Sequence, residues 1–421
     1  MRRLSRIRML NVYCFCLFLS QFKYIFSFSV AGVYINPVRI ALLALIVFDI
    51  IINHGKIQYN SKGNCEWIVA LLAWNVWTVL SLVWAQSKSS VVSSGIILFE
   101  AFLFVYYGQR LITDTGKLKK VLNSLFAALV FHNFLGWMEV STKVYLFSIY
   151  SEKYSMYGYP VSTFTNTNNF AFYLSLMAIL LLIAISIEKR KLQKVIYICL
   201  LVSSLVLNVK TGSRGSVIAL LAGVLIYVLL MAKSRKIVFR IIAVAAVIAL
   251  FLWLNPGVYS YILEIIGKAF DINTSASTGT DYYRMNAYAN GLDFYFDTYG
   301  LGVGPGNVEY WMTNYGTRFT NNIPNLHNWW LEILVGSGTV IAAIVAVTWI
   351  KYYIKLIKAY RSDKTRNEAC YIICGAISFG VVFAIGCISP STLYSSEWTW
   401  ALLAVFFLAQ RVVVYKISAE N

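Results

Sequence analysis

Long apolar runs, separated by short charged or turn-forming segments, make up most of this sequence. Most of the runs approach the roughly 20 residues that an α-helix needs to cross the hydrocarbon layer of a membrane. The pattern therefore predicts an all-α integral membrane protein of about 12 transmembrane helices. The predicted spans are 9–29, 37–53, 66–84, 91–108, 121–138, 168–187, 194–209, 215–231, 238–254, 327–350, 371–388 and 396–414.

The spans 194–209 and 215–231 are separated only by the short segment Lys210–Arg214. A single helix across both would be too long to fit the bilayer with a modest tilt. Gly212 can end the first helix, and Ser213 can cap the start of the next one. We therefore expect two separate helices here.

The positions of Lys and Arg predict the orientation of the chain, because these residues are enriched in cytoplasmic loops. With a cytoplasmic N-terminus, most of the 36 Lys and Arg fall in cytoplasmic loops, whereas one merged helix over 194–231 would place two basic clusters outside. Both termini are therefore predicted to be cytoplasmic. The predicted cytoplasmic clusters lie at residues 2–8, 56–62, 110–120, 189–194, 233–240, 351–366 and 411–416.

This orientation places the longest connection, about 255–325, on the outer side of the membrane. At roughly 70 residues it is far longer than a usual connection, which favours a functional role. Its segment Asp281–Phe296 can form a short helix lying along the membrane surface. We interpret the chain as a single polytopic membrane domain, 1–421, that carries this outer loop.

Composition supports the membrane interpretation and limits the partners. The chain is 59% hydrophobic and 13% charged, so the lipid bilayer must surround most of it. A net charge of +18 would suggest nucleic acid as the partner of a soluble protein. Here the basic residues are short clusters between apolar runs, with no basic and aromatic stripe, so nucleic acid is not expected as a partner. The seven cysteines lack metal-site spacing with histidines, and no metal site is predicted.

The first candidate site is the segment Lys210–Ser216. Arg214 opens a predicted helix beside small residues, and this combination of guanidinium, free backbone N–H groups and positive helix end suits phosphate. Ser213 is part of the same segment, and Lys210 is a weaker cation candidate. The alternative is an interfacial Arg that only orients the helix.

The second candidate site is the segment Leu326–Glu332, which opens a later span. His327 at the boundary of loop and membrane can accept a proton near neutral pH. The alternative is an interfacial anchor next to two Trp residues. Glu332 lies one turn beyond Asn328 and can equally be a polar group that is paired inside the bundle.

The third candidate is Arg284 in the outer loop, followed by the glycine-rich segment Tyr299–Gly306. These glycines resemble a phosphate loop only superficially. They follow no strand of a βαβ unit and lack the Lys-Ser/Thr ending, so nucleotide binding is not expected. We expect them to form a tight turn that returns the loop to the membrane.

The order, spacing and common side of these motifs resemble the O-antigen ligase and polymerase superfamily. The resemblance covers about residues 160–395, and Thr167 stands where that superfamily commonly has Pro. The matching segments are Thr165–Asn169, Thr211–Gly215, Arg284 with its glycine-rich turn, His327–Glu332, and Ser389-Pro390.

The resemblance implies a reaction and roles for particular residues. It implies transfer of a glycan from an undecaprenyl-diphosphate-linked oligosaccharide to an acceptor hydroxyl, without nucleotide sugar, metal or other cofactor. The chain would act at the outer face of the bacterial cytoplasmic membrane, together with a flippase and a chain-length regulator. The implied catalytic residues are His327 as general base and Arg214 and Arg284 on the diphosphate. The implied substrate-binding residues are Lys210, Ser213, Asn168, Asn328 and Glu332.

The acceptor stays open at this point. A polymerase would use another lipid-linked repeat unit, and the loop motifs favour this for capsule, exopolysaccharide or O-antigen. A ligase would use lipid A–core or a cell-wall acceptor. A flippase or transporter is less favoured, because such a protein should show weakly repeated halves and midplane charges. A membrane scaffold without enzymatic activity is the fourth alternative.

Overall fold

The structure is a computed structural model. It describes residues 2–22, 25, 28–30, 33–54, 65–147, 156, 158–164, 166–232, 280–362, 367–391 and 393–420. The helices are α1 Arg2–Leu19, α2 Pro37–Asn53, α3 Cys65–Ser81, α4 Lys88–Leu111, α5 Thr115–Thr142, α6 Thr167–Ile187, α7 Lys191–Lys210, α8 Arg214–Met231, α9 Thr280–Asp297, α10 Val308–Tyr315, α11 Trp329–Ser362, α12 Glu368–Gly386 and α13 Glu397–Glu420.

The architecture is that of an all-α membrane protein, as the apolar runs predict. Within the described ranges, seven helices are long and apolar enough to cross a membrane, and two shorter apolar helices cover Ile7–Phe22 and Glu66–Ser81. The seven are α4, α5, α6, α7, α8, α11 and α12. Each predicted span that falls on described residues corresponds to a helix, while the span 238–254 lies outside those residues.

The predicted break after residue 209 is confirmed. Helix α7 ends at Lys210, Gly212 has a φ of 71°, and α8 begins at Arg214 with Ser213 as its N-cap residue. The Thr211 hydroxyl accepts a hydrogen bond from the Ser213 amide, at 3.2 Å, and so helps to form the turn. The chain can reverse within these few residues because glycine adopts a positive φ without steric cost.

The predicted first span, 9–29, is too long. Helix α1 ends at Leu19, where Ser20 and Gln21 side chains donate to the Leu17 carbonyl oxygen at 2.7 and 3.0 Å. A short 3₁₀ turn follows, and then two strands, β1 Phe28–Val30 and β2 Val33–Ile35, pair in antiparallel fashion. Apolar residues near 29 therefore belong to a strand, which a hydropathy window cannot distinguish from a helix end.

Helix α6 lies at the centre of the bundle, since nearly all of its residues are buried. Helices α7, α8 and α12 contact it, and α8 and α12 run in close contact with each other. Gly223 allows this approach, because a Cβ atom there would lie 3.2 Å from the Ser378 carbonyl oxygen and would clash with Val382. The close packing fixes the ends of α6, α8 and α12 relative to one another.

The glycine-rich segment forms the predicted tight turn. Gly300, Gly302, Gly304 and Gly306 all have positive φ, the region that glycine adopts most easily. The Val303 amide donates to the Val335 carbonyl oxygen, and the Thr339 amide donates to the Gly300 carbonyl oxygen, both at 2.9 Å. The turn thus lies against a kink in α11, where Gly338 has a φ of 79°.

The outer-loop helix expected over Asp281–Phe296 is present as α9, Thr280–Asp297. A second short helix, α10, follows the glycine-rich turn and was not expected from the sequence. Residues 255–279 of the predicted loop 255–325 lie outside the described residues. Buried residues of α9, α10 and α11 form a small hydrophobic cluster that connects this loop to the membrane helices.

Candidate functional site

The segment 387–391, which directly follows α12, connects two of the candidate motifs. We call it the Ser-Pro segment. Its Cys387 carbonyl oxygen accepts a hydrogen bond from the Trp329 amide at 3.2 Å, at the first residue of α11. Its Ser389 carbonyl oxygen lies 3.2 Å from Nδ1 of His327. The start of α11 is therefore fixed against the end of α12.

The motif that contains Asn166 and Asn169 also contacts this segment. The Ser391 amide donates to Asn169 Oδ1 at 3.0 Å, and Asn166 Nδ2 donates to the Ser391 hydroxyl at 2.6 Å. Asn166 also caps α6, since its side chain accepts from the Asn169 amide at 2.8 Å. Two motifs far apart in sequence thus form one hydrogen-bonded unit at one end of the bundle.

The hydrogen bond to Ser389 defines the chemistry of His327. A carbonyl oxygen can only accept, so Nδ1 must carry the proton, and Nε2 of the neutral ring then has a free lone pair. His327 also has a φ of 49°, a left-handed conformation that is uncommon for a residue other than glycine. An imidazole held in this way is suited to accept a proton at Nε2.

Arg284 on α9 acts electrostatically on His327. Burial and the positive charge of Arg284 lower the pKa of His327 from its ordinary 6.5 to about 4, and the hydrogen bond with Ser389 acts in the opposite direction. Such an effect requires the guanidinium to lie near the ring. The imidazole is therefore neutral, and able to act as a base, at every pH well above 4.

This electrostatic contact predicts a pH shift. Arg284→Gln removes the positive charge, so the neutral ring is less favoured and the pKa of His327 rises toward its ordinary value. The measurement is the rate of carbethoxylation of His327, followed by peptide mass spectrometry from pH 4 to 8. As the pH is lowered, this rate should decrease with its midpoint at a higher pH in Arg284→Gln than in the wild type. An unchanged or lower midpoint would contradict the contact.

Arg214 is the first residue of α8 and is half-buried. Its neighbour Gly215 lies against the Ser-Pro segment, because a Cβ atom at Gly215 would be 3.1 Å from Cβ of Ser389. The Ser175 hydroxyl of α6 donates to the Ser216 carbonyl oxygen at 3.1 Å, which holds this helix start in place. Ser389 thus contacts both the start of α8 and His327.

Lys210 and Ser213 differ in their surroundings. Lys210 is exposed at the end of α7. Ser213 is buried, and its hydroxyl donates to the Ser216 hydroxyl at 3.1 Å. Of the two, Lys210 is the side chain that a ligand can reach without rearrangement.

The other candidate side chains lie at helix starts. Asn168 is in the first turn of α6 and is half-buried. Asn328 caps α11, because its Oδ1 accepts from the Trp330 and Leu331 amides at 3.1 and 3.3 Å. Glu332 is in the first turn of α11 and lines a cavity of about 320 Å³ together with serines of α4. In the described part of the chain, no group of three or more His, Cys, Asp or Glu could hold a metal ion.

Comparison with known proteins links this part of the chain to a family. Residues 199–346 match the O-antigen ligase family. This segment is similar to an O-antigen ligase domain. The matched segment includes Arg214, Arg284 and His327, and the match confirms the superfamily that the motifs predicted.

A relative supports the same assignment over more of the chain. The teichuronic acid biosynthesis protein TuaE of Bacillus subtilis (strain 168) is 27% identical over 383 residues, which cover 89% of this chain and 78% of the relative. No solved structure matches the chain. The chain is thus a multi-pass membrane protein of polysaccharide biosynthesis, of the polymerase or ligase type.

Sequence reasoning missed the connecting residues of this site. It noted Ser389-Pro390 only as a matching motif, although the Ser389 carbonyl oxygen contacts His327. It also did not assign Asn166 and Asn169, which bind Ser391. Asn166 could have been found as an N-cap before an apolar run, but a backbone carbonyl gives no signal in the sequence.

Proposed function

We propose that the protein transfers a glycan from an undecaprenyl-diphosphate-linked oligosaccharide to an acceptor hydroxyl at the outer face of the bacterial cytoplasmic membrane. The observation that carries the proposal is the neutral imidazole of His327, held by the Ser389 carbonyl oxygen beside the positive charge of Arg284. A base next to a fixed cation suits a reaction in which a hydroxyl loses its proton while an anion departs.

The proposed reaction is a single displacement. Nε2 of His327 takes the proton of the acceptor hydroxyl, whose oxygen attacks the anomeric carbon of the donor sugar. The bond from that carbon to the phosphate oxygen breaks, and undecaprenyl diphosphate leaves with the bonding electrons. Arg214 and Arg284 neutralise its developing charge, and Lys210 is a further cation at the entrance. Asn168, Asn328, Ser213 and Glu332 line or shape the binding region.

We propose further that the reaction needs no metal and no nucleotide sugar. The sequence contains no Asp-x-Asp motif, and fixed arginines can supply the positive charge that a metal would otherwise bring to a diphosphate. With both termini cytoplasmic, the starts of α6, α8 and α11 open to the outer face. The lipid-linked donor would then be reached after it has been flipped across the membrane.

Polymerisation of repeat units is the favoured form of this reaction. The relative named for teichuronic acid biosynthesis supports a role in assembling a surface polysaccharide. Ligation to lipid A–core or to a cell-wall acceptor is the second candidate, favoured by the name of the matching family. A flippase and a chain-length regulator are the proposed partners of the polymerase.

The test is conversion of a purified lipid-linked repeat unit by the purified protein in detergent or liposomes. We expect a ladder of products that differ by one repeat unit, and release of undecaprenyl diphosphate at each step. Single transfer to an added lipid or cell-wall acceptor would identify a ligase. Absence of transfer to any acceptor, with the donor translocated across the liposome membrane, would identify a flippase and contradict the proposal.

A further inference from the structure

Helix α9 has an exposed apolar face in addition to the face that packs against α10 and α11. The residues of this exposed face are spaced alternately three and four positions apart, so they form one narrow row along the helix. We call this row the apolar stripe. Its members are Tyr282, Met285, Ala289, Leu292 and Phe296, with Tyr299 just beyond the end of the helix. Met285 is 63% exposed, Phe296 68% and Tyr299 95%. A continuous exposed apolar row marks a surface that contacts a partner.

The other faces of α9 show how the apolar stripe is oriented. Ala287 and Phe294 are buried on the opposite side of the helix, where they pack against the rest of the protein. Asp293 and Asp297 lie beside the stripe, and Asp293 pairs with the exposed Arg318. A helix with one face on the protein, one exposed apolar face and one exposed charged face is typical of the boundary between lipid and water.

The apolar stripe meets a surface that faces lipid. Helix α11 is long and apolar enough to cross a membrane, and its side chains Val340 and Val347 are about half exposed on one side of it. Next to Val340, the Thr339 hydroxyl lies 2.7 Å from the Tyr295 hydroxyl, and the Thr339 amide donates to the Gly300 carbonyl oxygen at 2.9 Å. Tyr295 and Gly300 adjoin the last members of the stripe. The stripe therefore continues into a surface that the acyl chains of a membrane cover.

Arg284 lies on the edge between the apolar stripe and the buried face of α9. It forms one row with Tyr288 and Tyr295, since these positions are spaced four and seven residues apart. Tyr295 contacts α11, so this row follows the line along which the surface of the helix passes from lipid to protein. A cation on that line suits a phosphate head group, because lipid phosphates lie at the membrane surface.

We propose that the apolar stripe of α9 lies among the acyl chains of the outer leaflet and so holds Arg284 at the level of the lipid phosphates. The partner of this surface is the phospholipid leaflet, and the stripe contains no charged residue, as immersion in acyl chains requires. The consequence for Arg284 rests on the proposed function. The diphosphate of a lipid-linked donor that diffuses in the leaflet reaches Arg284 without leaving the membrane surface.

The first experiment identifies what the apolar stripe contacts. The full-length protein, in liposomes of phosphatidylethanolamine and phosphatidylglycerol, carries the photo-crosslinking amino acid p-benzoylphenylalanine in place of Phe296, Val340 or Asp297. After irradiation, peptide mass spectrometry should show a phospholipid adduct at position 296 with a yield comparable to that at 340, and little or none at 297. Crosslinking of position 296 to another part of the chain, to a second copy, or to no lipid would overturn the inference.

The second experiment tests the consequence for the donor. Met285→Glu/Phe296→Glu places two carboxylates in the stripe, which expels it from the acyl chains and should raise the KM for the lipid-linked donor about 10-fold. Met285→Leu/Phe296→Leu keeps the stripe apolar and is the matched control, with the wild-type KM expected. An unchanged donor KM in the Glu variant would overturn the placement of Arg284. A wild type without any transfer would overturn the proposed function alone, because the lipid adduct at position 296 forms without turnover.

Discussion

A His327→Asn enzyme is expected to lose glycan transfer by about 10²- to 10⁴-fold, the usual contribution of a positioned general base. Asparagine tolerates the left-handed backbone at this position and can still donate to the Ser389 carbonyl oxygen, but it cannot accept a proton. The local structure should therefore survive while the base is lost. Initial rates of product formation from a purified lipid-linked repeat unit measure the effect.

The matched control for this change is His54→Asn. His54 is exposed and also has a positive φ, of 51°, so the same substitution is made in the same backbone conformation. The control should keep wild-type turnover. Transfer by His327→Asn at more than about a tenth of the wild-type rate would remove His327 from the role of base.

Arg284→Ala and Arg214→Ala are each expected to lower kcat by about 10²- to 10³-fold, because each removes a fixed positive charge from the departing diphosphate. Lysine keeps the charge but lacks the two-pronged guanidinium, so Arg284→Lys and Arg214→Lys should recover part of the loss. The measurement is the release of undecaprenyl diphosphate in single-turnover reactions. Membrane insertion should be normal for all four variants, as measured by their expression level and by protease protection.

Arg318→Gln is the control for the arginine series. Arg318 is exposed in the connection between α10 and α11 and pairs with Asp293 of α9, so it lies near the same helix as Arg284 but faces solvent. The control should retain nearly full activity, because exposed ion pairs contribute little. Full turnover by Arg214→Ala or Arg284→Ala would refute the role assigned to that arginine.

The helices could be predicted well because a membrane imposes a simple rule on the sequence. A run of apolar residues, such as 168–187, becomes a buried helix with nearly the same ends, Thr167–Ile187. The charge pattern also predicted the break between α7 and α8. One continuous helix would place later basic clusters on the outer side of the membrane, where Lys and Arg are less common. The strands near residue 29 and the helix α10 escaped prediction because short apolar segments fit several structures equally well.

The residues of the candidate site could be named from motifs, but their contacts could not. The sequence does not show that the Ser-Pro segment lies between His327 and the start of α8, because that arrangement depends on the packing of α8 against α12 at Gly223.

The most direct test of the central claim is an experimental structure of the protein with undecaprenyl diphosphate bound. We expect the diphosphate to contact the guanidinium groups of Arg214 and Arg284 on the outer side of the membrane, with Nε2 of His327 facing the anomeric position beyond it. A diphosphate bound at the cytoplasmic end of the helices, or away from both arginines, would exclude the proposed role of Arg214 and Arg284.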